Sequence, residues 1–87
     1  MSETKRQLHK LQFDLTPDKL EDFERLRVEG GFRTRKELLN NALTVLSWVM
    51  RHARAGHTIA AIDEKSGRMY ELAMPFLDAM RDSAQRR

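Results

Sequence analysis

The densest run of reactive side chains is Arg33-Thr34-Arg35-Lys36, followed at once by Glu37. Three cations and a hydroxyl suit an oxyanion, provided that backbone N–H groups converge on the same point. Thr34 and Glu37 stand in the S/T-x-x-E spacing of a capping box. A helix is therefore expected to open here, with Thr34 as N-cap and Glu37 reaching back to it. The unpaired N–H groups of Arg35 and Lys36, with the positive end of the helix dipole, would complete an anion site. Thr34 has two readings, helix cap or hydroxyl donor to the anion, and both can hold together.

Other chemistry-bearing residues are less organised. His9, His52 and His57 invite a metal, but none stands at i, i+4 on a helix face, and Cys is absent. No metal or other cofactor is expected. Asp63-Glu64 is a carboxylate pair that Tyr70 and His57 would have to complete; a solvated turn explains it better. There is no Gly-rich phosphate loop, nucleophile elbow or metal-hydrolase motif, so an enzyme is not expected.

The elements that must position these groups follow from periodicity. Leu11, Phe13 and Leu15 alternate with Lys10, Gln12 and Asp14, the period-two pattern of a half-buried strand over residues 7–16. His9 falls on its apolar face. Thr16-Pro17 then opens a helix in which Leu20, Phe23 and Leu26 recur at helical spacing through about Val28. Gly30-Gly31 stops it. The helix begun at Thr34 runs to about Ala55 and carries two apolar stripes side by side. Leu38, Ala42, Val45 and Val49 form one; Leu39, Leu43, Leu46 and Met50 form the other. So broad a stripe implies burial on more than one side. Trp48 lies off both and is expected to pack on a C-terminal hairpin. There, residues 57–62 and 68–73 read as two strands about a turn at Asp63–Gly67. A short helix after Pro75 follows, with Phe76, Leu77, Ala79 and Met80 apolar, and residues 82–87 are expected to fray.

Composition bounds the function. The 87 residues carry 16 Lys+Arg against 13 Asp+Glu, a net charge of +3. The distribution is uneven: residues 17–32 carry −2 and residues 33–56 carry +4. Residues 57–87 balance, and residues 1–16 carry +1. Basic charge is thus concentrated around the second helix start, which favours a polyanionic partner without specifying it. No membrane span and no apolar leader are seen, and a cytoplasmic protein is the expectation.

The length sharpens a structural problem. One strand has nothing to pair with, and one short helix cannot cover both stripes of the long one. A second copy would supply both missing partners; the alternative is a monomer in which the C-terminal segment supplies the strands.

Strand, turn, helix, Gly turn and long helix within residues 7–55 resemble the ribbon-helix-helix family of small DNA-binding proteins. The resembling stretches are Lys10-Leu11-Gln12-Phe13-Asp14-Leu15-Thr16-Pro17 and Gly31-Phe32-Arg33-Thr34-Arg35-Lys36-Glu37-Leu38-Leu39-Asn40-Asn41-Ala42-Leu43. The second is similar to the family's G-x-x-S/T-R-x-E-x-I-x-x-A-L pattern. The resemblance implies a mainly α fold with a short β-ribbon, as an intertwined homodimer; the C-terminal hairpin and short helix read from the pattern of residues 57–80 would extend it. Residues 1–6 would form a basic arm, 7–55 the DNA-binding domain and 56–87 the extension.

It further implies a repressor or autoregulator whose ribbon enters the major groove of double-stranded DNA, as in the MetJ and Arc repressors. Lys10, Gln12 and Asp14 would then face base edges: Lys to guanine, Gln to adenine, Asp to cytosine. Asp14 departs from the family pattern, and could instead sit at the groove edge or bond Thr16. Arg33, Thr34, Arg35 and Lys36 would contact phosphates, with Lys5 and Arg6 as a basic arm or a solvated tail. Leu11, Phe13, Leu15, Leu39, Leu43, Leu46 and Met50 would form the dimer core, with higher-order assembly on tandem sites. The alternative is an antitoxin-type or other interaction module whose C-terminal segment binds a partner protein. Against it, residues 57–80 are patterned enough to fold unaided.

Overall fold

Thr16 sits in extended backbone, and its Oγ1 accepts from the Lys19 N–H at 3.3 Å. Pro17 occupies the first helical position, where its missing N–H is not needed. Together they start α1, Pro17–Glu29. The computed structural model describes residues 7–85. After α1 come α2 (Arg35–Arg54), the strands β1 (Ala60–Asp63) and β2 (Arg68–Glu71), and α3 (Pro75–Gln85). The architecture is mainly helical, with one two-stranded antiparallel sheet.

Both α1 and α2 end in the same motif. At α1, the Gly31 N–H donates to the Val28 carbonyl at 3.1 Å and the Phe32 N–H to the Arg27 carbonyl at 2.9 Å. At α2, the Gly56 N–H donates to Ala53 at 3.0 Å and the His57 N–H to His52 at 2.9 Å. This paired pattern satisfies the last carbonyls of a helix and requires a left-handed residue just past the cap. Gly31 (φ 74°) and Gly56 (φ 85°) supply it. Gly30 is needed for space, because a Cβ there would run into the Phe32 ring.

The hairpin pairs Ala60 with Glu71, Ala61 with Tyr70, Ile62 with Met69 and Asp63 with Arg68. It is shorter than the strands expected over 57–62 and 68–73. Asp63 is occupied in the turn: its carboxylate accepts from the Lys65 N–H and its carbonyl from the Gly67 N–H. The supposed carboxylate pair is thus part of a hydrogen-bonded turn. α3 continues to Gln85, beyond Asp82, where fraying was expected to begin.

Burial is confined to two places. Val49 and Ala53 from the last turns of α2 meet Ile59 and Leu77, with Phe76 and Met80 packed around them. At the other end of α2, Leu38 is buried near α1. Between them, every residue from Asn40 to Trp48 is exposed. The expectation of a long helix buried on several sides therefore fails within one chain. α1 and α3 cover its two ends and leave its middle turns open.

Residues 7–16 also differ from expectation, with no regular secondary structure. A strand needs a neighbour to satisfy its N–H and C=O groups. The only β-pairing among the described residues is β1 with β2.

Candidate nucleic-acid interface

The start of α2 is assembled as the capping chemistry requires, with one change. Thr34 is extended, and its Oγ1 accepts from the Glu37 N–H at 3.0 Å. The Glu37 carboxylate reaches one residue further back than expected, accepting from the Arg33 N–H at 2.6 Å instead of from Thr34. The N–H groups of Arg35 and Lys36 lie in the first turn, where no intrahelical acceptor exists. Arg33, Thr34, Arg35 and Lys36 are all exposed around this helix end.

Two residues absent from the sequence-based set organise the corner. Glu24 of α1 accepts from the Arg35 Nε at 2.7 Å through one oxygen and from the Arg27 Nε at 3.0 Å through the other. Arg27 also donates to the Phe32 carbonyl at 3.1 Å. The Arg27 guanidinium, then that of Arg35, hold the Glu24 carboxyl below its ordinary value of 4.5, against a smaller opposing effect of desolvation. The i, i+3 relation of Glu24 and Arg27 is visible in sequence. The reach from Glu24 to Arg35 is not, because it depends on how α1 and α2 cross.

Lys10, Gln12 and Asp14 are exposed, and so are Leu11, Phe13 and Leu15. Phe13 is 63% accessible. The single chain therefore does not separate an outward from an inward face in this segment. No Asp14–Thr16 bond occurs among the described residues; the Thr16 hydroxyl is engaged by α1. Lys5 and Arg6 lie outside the described residues.

Of the expected dimer core, Leu39 and Met50 are half-buried, while Leu43 (52%) and Leu46 (42%) are exposed. Trp48 does not pack on the hairpin. It lies 4.6 Å, centroid to centroid, from His52 on its own helix and stays half exposed. The hairpin strands make no contact with α2 among the described residues.

His52 and His57 place their Nδ1 atoms 2.9 Å apart. Their ring centroids are 5.1 Å apart, so the two nitrogens point nearly head to head. That is the geometry of a hydrogen bond between rings, with one nitrogen donating. The pair links the two residues that the α2 terminating motif already brings together. No group of three or more metal-ligating side chains occurs among the described residues.

No helix among the described residues is long and apolar enough to cross a membrane. The chain thus carries a cationic helix start, an exposed apolar segment within residues 7–16 and an exposed apolar flank on α2. No family model, curated protein or solved structure matches the chain.

Proposed function

We propose that this protein is a dimeric, sequence-specific DNA-binding regulator of the ribbon-helix-helix type, acting as a repressor or autoregulator. Residues 7–16 of two chains pair as an antiparallel ribbon, and the α2 helices pack along their exposed middles. One observation carries the reading: a segment of alternating apolar residues, Leu11, Phe13 and Leu15, stands exposed in a chain whose α2 also shows Leu43 and Leu46 to solvent. Pairing two copies gives each set a partner of its own kind. Exposed apolar patches of this sort mark association surfaces.

In that assembly Lys10, Gln12 and Asp14 face base edges, and the start of α2 binds backbone phosphate through Arg33, Thr34, Lys36 and free N–H groups. The exposed hairpin residues Ile62, Met69 and Tyr70 favour a second role, docking of a partner protein on the C-terminal extension. An antitoxin would combine both.

Selection of duplexes from a random pool, alongside the solution mass, tests the proposal. Enrichment of a repeated half-site by a protein of twice the chain mass is the expected result. A monomer that enriches nothing would refute the DNA reading and leave the partner-docking one. On the selected site, Gln12→Ala is expected to cost about 1–3 kcal/mol, with little loss on random duplex.

A further inference from the structure

The cations at the α2 start are not equivalent. Arg35 is tied to Glu24, whereas Arg33 and Lys36 enter no ion pair among the described residues. We propose that Glu24 is an attenuator of phosphate binding: it withholds Arg35 from the polyanion and leaves Arg33 and Lys36 to make the charged contacts. This inference rests on the DNA-binding reading and deepens it.

The geometry explains why Glu24 keeps its hold. Its second oxygen takes the Arg27 Nε, and Arg27 is itself fixed by donating to the Phe32 carbonyl at 3.1 Å. Glu24 cannot swing toward solvent without giving up its ion pair with this fixed Arg27. The carboxylate is therefore already in place beside Arg35, at 2.7 Å, with no reorganisation needed. Arg35 stays 65% accessible along its side chain, so access does not keep phosphate away. Competition by a fixed anion does. A phosphate approaching Arg35 must also approach Glu24, and like charges at close range repel.

Glu37 does not share this role. Its carboxylate is taken by the Arg33 N–H and leaves the Arg33 guanidinium free of an ion pair among the described residues. The two acids at this corner thus differ: one closes a cap and the other cancels a cation.

The test is the salt dependence of duplex binding by the full chain, since each phosphate-neutralising cation adds about 0.9 to the log–log slope. Glu24→Gln keeps the shape and removes the charge. It is expected to tighten binding to all sequences and steepen the slope by about 0.9, so that its advantage shrinks about 3.5-fold between roughly 50 and 200 mM salt. Arg35→Gln in the native background is expected to leave the slope unchanged, and in the Glu24→Gln background to restore the native slope. Lys36→Gln is expected to lower it by about 0.9 in either background. An unchanged slope in Glu24→Gln overturns the proposal, as does a shallower one in Arg35→Gln alone. If neither the native protein nor Glu24→Gln binds duplex at any salt, the DNA reading itself falls. Binding by both with equal slopes removes only the attenuator.

Discussion

The C-terminal turns of α2 and its middle turns meet different fates. Around its C-terminal turns, Val49 and Ala53 are sealed by Ile59 and Leu77, the last only 2% accessible. Along its middle, Ala42, Leu43, Val45 and Leu46 are just as apolar and remain at the surface. The difference does not lie in the side chains; it lies in what the rest of the chain brings back. Beyond Gly56, Ile59 and α3 fold over the near end of the helix, while α1 is short and meets the far end. A helix can thus be core at one end and exposed along its middle, with no change of character in its sequence.

Several measurements would break or sharpen this contrast. Leu77→Ala should have the largest effect, about 2–5 kcal/mol in denaturant unfolding, because a nearly inaccessible side chain leaves a cavity. Leu43→Ala, studied at a dilution where the chain is monomeric, should cost less than about 0.5 kcal/mol. Equal losses at both positions would abolish the distinction between the core at the end of α2 and its exposed middle.

Gly31→Ala and Gly56→Ala should each cost about 1–2 kcal/mol, since both glycines have left-handed backbone that an L side chain resists. If the C-terminal unit folds around its own core, Gly56→Ala should lower thermal stability without altering duplex affinity. A parallel loss of affinity would show the two regions to be coupled. Thr34→Ala should remove about 1 kcal/mol through loss of the cap on Glu37. Amide exchange should then quicken in the first turn of α2 and stay unchanged at Ala53.

The smallest effect concerns acid. Glu24 titrates below its ordinary value in the folded protein, so its ion pairs contribute fully above about pH 4.5 and are lost as pH falls through the lowered value. Loosening of the α1–α2 corner should therefore appear on acidification in the native protein and be absent in Glu24→Gln. Acid loosening of equal size in both would exclude Glu24 as its source.

What could be read in the sequence was what neighbouring residues decide among themselves. Thr16-Pro17, Thr34 and the glycines at 30–31 and 56 delimit both helices to within a residue or two, because caps and left-handed turns are local chemistry. Asp63 to Gly67 is a turn for the same reason. Contacts that depend on how elements cross were not legible. The Glu24–Arg35 bridge and the surroundings of Trp48 are of this kind. The residue 7–16 segment fails differently. Its alternation is real, but no other described segment pairs with it, so the pattern specifies a face and leaves the neighbour unspecified.

The uncovered middle of α2 has a consequence in mass action. If another copy covers it, folding and assembly share one equilibrium, and the melting midpoint must rise with total protein. Stability would then cease to be a constant of the chain and become a function of its abundance. A regulator built this way would be sturdiest when plentiful and most exposed to proteolysis when scarce.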